Sequence, residues 1–112
     1  MSKIELSALI LFLCLSSRVA IAQNLHLDAI RSLGKLNGVA LQCGFFDQTR
    51  LMKQVLVEVL PKRRSLGQAF DQATHDSYLS FTENKRRCPT QVELMLEVNE
   101  SMRHLRQVYS ER

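Results

Sequence analysis

The sequence predicts an all-α protein, a small four-helix up-down bundle stapled by one disulfide. Three observations carry that expectation. After residue 23, apolar residues recur at steps of three and four, the spacing of one helix face, and few segments alternate as strands do. Glycine, proline and N-cap signals divide this pattern into four helix-length pieces. Cys43 and Cys88 stand where an up-down path returns the chain to the same end.

The chain opens with a leader. "MSKIE" supplies Lys3, the apolar run "LSALILFLCL" covers residues 6–15, and "SSRVAIA" closes on Ala20-Ile21-Ala22 before Gln23. This order predicts a secretory signal peptide over 1–22, cleaved after Ala22, and a single helical domain over 23–112. The expected location is periplasmic or secreted. The apolar run is far shorter than the roughly 20 residues that span a bilayer, so no transmembrane segment is expected in the mature chain. Cys14 follows Phe12 and Leu13 rather than the small residues that lipid attachment favours, and it reads as apolar filler.

Of the 15 basic and 11 acidic side chains, the leader holds Lys3, Arg18 and Glu5, which leaves a net charge of +3. That is too mild a surplus for a dedicated nucleic-acid binder. The mature chain is long enough for one small domain, near the size at which cores become thin. Two cysteines in a short exported chain read as a disulfide. Closing the loop between them stabilises the fold by about 4 kcal/mol in the chain-entropy model, a large share of the whole.

The first helix, "NLHLDAIRSLGKLNGVALQC", places Leu27, Ile30, Leu33, Leu36, Ala40 and Cys43 on one face. Gly34 and Gly38 weaken it by about 1 kcal/mol each relative to alanine, but their spacing suits close approach by another helix. "CGFFDQTR" interrupts the pattern, with Gly44 as terminator and Asp47 as the expected N-cap. In that turn Phe45 and Phe46 either cap the core beneath the disulfide or offer an apolar patch to a partner. The second helix, "QTRLMKQVLVEVL", carries Leu51, Met52, Val55, Leu56, Val59 and Leu60 on one side and stops at Pro61.

Ser65 with Gln68 is read as a capping box opening the third helix, whose stripe is Leu66, Phe70, Ala73, Ser77 and Phe81 with Tyr78 at its margin. Thr90 with Glu93 is a second capping box, placed just after Pro89. Met95, Val98, Met102, Leu105 and Tyr109 then mark the fourth helix.

Motifs that carry chemistry are scarce. C-x-x-C, C-x-x-C-H, H-E-x-x-H, G-x-S-x-G and phosphate-cradling glycine loops are all missing, so no catalytic residue, metal site or cofactor is expected. His26, His75 and His104 fall on different helices and read as isolated surface residues. Asp71 and Asp76, five apart, do not share a helix face. Glu93, Glu97 and Glu100 do, and with Arg103 and Arg106 they give the fourth helix an acidic start and a basic end, as its dipole favours. Asn99-Glu100-Ser101 matches the glycosylation pattern but falls within a helix.

Two basic clusters remain, Lys62-Arg63-Arg64 after the second helix and Lys85-Arg86-Arg87 closing the third. Both read as cations at helix C-termini, set at opposite ends of the bundle and without interleaved aromatics, which argues against nucleic acid as a partner. The second cluster precedes Cys88, and cations beside a cysteine can also produce a reactive thiolate. A disulfide clamp explains the same residues without chemistry.

The function expected is therefore an exported, non-enzymatic protein-binding module, of inhibitor or immunity type, acting on another exported protein alone or as a homodimer. Phe45, Phe46, Lys62, Arg63, Arg64, Lys85, Arg86 and Arg87 are its candidate partner contacts. The alternatives are a periplasmic stress chaperone and a small enzyme with Cys88 as nucleophile.

Overall fold

The computed structural model describes residues 24–110; the expected leader, Cys14 and the expected cleavage site lie outside them. The described residues form four helices and no strand. These are α1 over 24–43, α2 over Phe46–Val59, α3 over Arg64–Glu83 and α4 over Gln91–Ser110. The bundle and its Cys43–Cys88 disulfide are both as expected. No described helix is long and apolar enough to cross a membrane.

α1 is the hub. Its Ala29, Ile30, Leu33 and Ala40 meet Met52 and Val55 of α2, Phe70 of α3, and Leu94, Val98, Leu105 and Tyr109 of α4 in one apolar cluster. α2 and α4 lie against each other, and Arg106 of α4 donates to Glu58 of α2 at 3.0 Å across their surface. Such an exposed pair adds little stability and mainly marks the alignment of the two helices.

α3 is held in another way. Its backbone approaches neither α2 nor α4, so its packing rests on α1. A Cβ built on Gly34 would lie 2.7 Å from the Phe70 carbonyl oxygen and 2.8 Å from Ala73 Cβ. One built on Gly38 would lie 2.6 Å from Ser77 Cβ and 2.8 Å from the Thr74 carbonyl oxygen. Only glycine admits so close an approach. The closeness brings polar groups into reach: Ser77 Oγ donates to the Lys35 carbonyl at 2.6 Å, Asn37 Nδ2 to Thr74 Oγ1 at 3.3 Å, and Gln42 Nε2 to Thr82 Oγ1 at 2.6 Å. Residue numbers rise together along both helices, so α1 and α3 run parallel, as alternate members of an up-down path must. The spacing of the two glycines in the sequence had this packing reason.

Several local expectations are corrected. α2 begins at Phe46 with Phe45 as N-cap, and Asp47 falls inside the first turn, where it pairs with Arg50 at 3.6 Å. α3 begins at Arg64, not on a Ser65–Gln68 box. The Arg63 amide donates to the Pro61 carbonyl at 2.8 Å, so the turn delivers the chain into helix early and Ser65 is already helical. Lys62-Arg63-Arg64 are thus not C-terminal cations of α2, which closes at Val59; Arg64 opens α3 instead.

The second cluster also lies beyond its helix. α3 ends at Glu83, and Lys85 takes a left-handed φ of 49°. The Arg86 amide then reaches back to the Phe81 carbonyl at 3.2 Å, a helix-ending pattern in which lysine stands where glycine is usual. In α4 the fully buried stripe is Leu94, Val98 and Leu105, and Met95 turns outward. Leu51 of α2 is likewise exposed.

The glycine contacts make a paired prediction. Gly38→Ala forces a methyl against the Thr74 backbone and should cost about 2 kcal/mol, or roughly 10 °C in Tm. Gly67→Ala, with nothing within 4 Å of its Cβ, should instead stabilise α3 by about 0.5–1 kcal/mol. Thermal unfolding of both variants checks this; equal shifts would refute the close α1–α3 contact.

Candidate functional site

The residues around the disulfide are positioned by two helix ends and two helix starts. α1 stops at Cys43 because Gly44 turns left-handed, with φ 76°, and the Phe45 amide closes on the Ala40 carbonyl at 2.9 Å. Phe45 consequently packs inward against the core, while Phe46 stays 61% exposed. Phe45 thus caps the core, and Phe46 remains on the surface.

On the other strand of the clamp, Cys88 follows the left-handed end of α3, and its Cα lies 5.7 Å from that of Cys43. Pro89 ends the turn, and Thr90 opens α4 with the expected capping box. The Glu93 amide donates to Thr90 Oγ1, and the Thr90 amide to Glu93 Oε2, both at 3.1 Å. The rigid start this gives α4 presents Val92, 60% exposed, with Leu96, 61% exposed, one turn further on. Met95 lies between them, 37% exposed.

These apolar side chains share the clamped end with Lys85, Arg86 and Arg87, all exposed. The ion pairs among the described residues use Arg31, Arg50, Arg103 and Arg106, and none engages Lys85, Arg86 or Arg87. Leu96 and Arg86 also edge a groove between α1 and α4, about 710 Å³ in volume, with Leu36 and Val39 of α1 among its walls. Glu97 and Glu100 line the α4 side of that groove. Glu100 is held below the ordinary carboxylate range by hydrogen bonds from the Arg103 guanidinium and its charge. Arg103 is raised in return.

Of the expected contact set, Phe46 follows Cys43 closely and Lys85, Arg86 and Arg87 precede Cys88, so the disulfide holds their stretches at one end of the bundle. The structure turns Phe45 into the core and sets Lys62, Arg63 and Arg64 at the opposite end, the length of α3 away, about 30 Å. Val92, Leu96 and Leu51 were not foreseen as surface. A signal for them exists: residues 92–98 read VELMLEV, more apolar positions than one buried stripe can take. Cys43 and Cys88 are both consumed by the disulfide, so neither is a thiolate in this state. No group of three or more metal-ligating side chains occurs among the described residues. His75 and His104 are exposed, but His26 is half-buried against α4, a correction to its reading as an isolated surface residue.

No family model, curated protein or solved structure matches the chain. The clamped end thus sets exposed apolar side chains beside cations that no ion pair engages, next to a disulfide.

Because the capping box orients those side chains, Thr90→Ala should cost about 1 kcal/mol and loosen the first turn of α4. Amide hydrogen exchange should accelerate at Glu93 and Leu94 while the centre of α4 is unaffected. Unchanged exchange at both would show that the cap does not set this surface.

Proposed function

We propose that the mature chain is an exported, non-enzymatic protein-binding module, of inhibitor or immunity type, and that it docks on another exported protein through its clamped end. The observation that carries this reading is the exposure of Phe46, Val92 and Leu96 at 60–61% on helix starts joined through one disulfide. Burying large apolar side chains is the main source of binding energy, and anchors already fixed in place lose little conformational freedom on association. The unpaired Lys85, Arg86 and Arg87 favour a partner with acidic groups around an apolar pocket. The leader and the disulfide both fit an oxidising compartment outside the cytoplasm.

A chaperone triggered by acid would need carboxylates that burial or pairing strains as they protonate. Every described aspartate and glutamate is exposed, and the pairs formed by Asp28, Asp47, Glu58 and Glu100 are surface pairs of little stabilising effect, which supports docking by the folded state instead.

Partner capture from the exported fraction tests the proposal when wild-type and variant baits are compared. The wild type should retain a stoichiometric protein. Leu96→Asp and Phe46→Asp should each weaken that complex by at least about tenfold, since hot-spot side chains contribute about 2 kcal/mol or more. Arg64→Ala, at the far end, should leave it unchanged. Equal capture by all four baits, or capture by none, would overturn the assignment.

A further inference from the structure

The end of the bundle remote from the disulfide holds a second recognition feature, independent of the docking surface. A cavity of about 450 Å³ opens between the start of α1, the α2–α3 turn and the last turn of α4. Its walls include Leu27 from α1, Pro61 and Leu66 from the turn and the start of α3, and Tyr109 from α4. Tyr109 is held in place by His26, whose ring stacks on it with centroids 4.8 Å apart and 28° between planes. His26 Nε2–H donates to the Val108 carbonyl at 3.0 Å, which locks that ring in turn. One wall is therefore a rigid aromatic pair rather than a mobile side chain.

The polarity of the rim is one-sided. Among the described residues that line the cavity, Arg63 carries the permanent charge and none is a carboxylate. Lys62 and Arg64 flank Arg63, all three are exposed, and none takes part in an ion pair. Two described acids towards this end are engaged in other pairs: Asp28 with Arg31 at 3.6 Å, and Glu58 with Arg106 at 3.0 Å. The cavity thus combines an apolar, aromatic interior of ligand size with an uncompensated guanidinium at its mouth.

We infer that this cavity binds a small amphipathic carboxylate, its alkyl or aryl body lying between Leu27, Leu66 and Tyr109 and its carboxylate on Arg63. A guanidinium matches a carboxylate in two parallel hydrogen bonds, which gives the site a preference for the acid over an uncharged molecule of the same shape. The half-buried His26 ring, backed by the buried Tyr109 on which it stacks, supplies the aromatic wall beside which an aryl body would lie.

The probe is 4-phenylbutanoate, titrated into the mature protein while the ring resonances of His26 and Tyr109 are followed by NMR, with 4-phenylbutan-1-ol as the uncharged counterpart. The acid should shift both rings saturably, the alcohol should bind at least about tenfold more weakly, and Arg63→Gln should weaken the acid by a similar factor. Leu66→Ala should weaken acid and alcohol alike. Equal binding of acid and alcohol, or of wild type and Arg63→Gln, would overturn the anion site. Absence of any shift at His26 and Tyr109, or shifts confined to the clamped end, would overturn the cavity itself.

Discussion

The Cys43–Cys88 bond is the constraint on which the rest of this small domain depends. It joins the last residue of α1 to the turn between α3 and α4, so three of the four helices are tied at one point. Without it, α3 and α4 would be connected to the hub helix only through α2 and through side-chain contacts. Those contacts are unequal. α4 fills the core with Leu94, Val98 and Leu105, whereas α3 offers it chiefly Phe70 and otherwise rests on glycine contacts and hydrogen bonds to α1. The disulfide matters most for the helix with the least apolar burial. It does so by limiting how far α3 can stray in the unfolded chain, rather than by adding contacts in the folded one.

That constraint also shapes the two ends of the bundle at which docking and ligand binding are proposed. At the clamped end, helix starts held by a disulfide and a capping box can expose phenylalanine, valine and leucine without collapsing them into the core. At the other end, the α2–α3 turn has no covalent tie. There Pro61 and the stacked His26–Tyr109 pair shape a cavity, and the arginines that follow the turn find no acidic neighbour. Each end therefore sets an apolar feature beside cations that no ion pair engages: exposed helix-start side chains at one, a cavity at the other.

Much of this was legible in the sequence. Periodicity gave the four helices, Pro89 with Thr90 and Glu93 gave the start of α4, and the Gly34–Gly38 spacing pointed to a close helix contact. What was misread shares a physical cause. Caps at Asp47 and Ser65 were inferred from residue preference. The actual starts are set by how the preceding turn delivers the backbone, a property of Gly44 and Pro61 acting over several residues. Met95 and Leu51 were placed in the core because apolar character was equated with burial. Residues 92–98 carry more apolar side chains than a single helix face can bury. His26 met Tyr109 only through the return of α4 past the start of α1, a tertiary encounter between residues far apart in the chain that no local pattern announces.

The central claim is that the disulfide clamps a structural junction and is not a reactive centre. Its most direct test is denaturant unfolding of the mature protein beside a Cys43→Ser, Cys88→Ser double variant, with free thiols titrated in the unreduced wild type. The account predicts no free thiol and a loss of about 4 kcal/mol in the variant, with α3 the first helix to exchange its amides. Two titratable thiols in the native protein, or a variant as stable as the wild type, would contradict it.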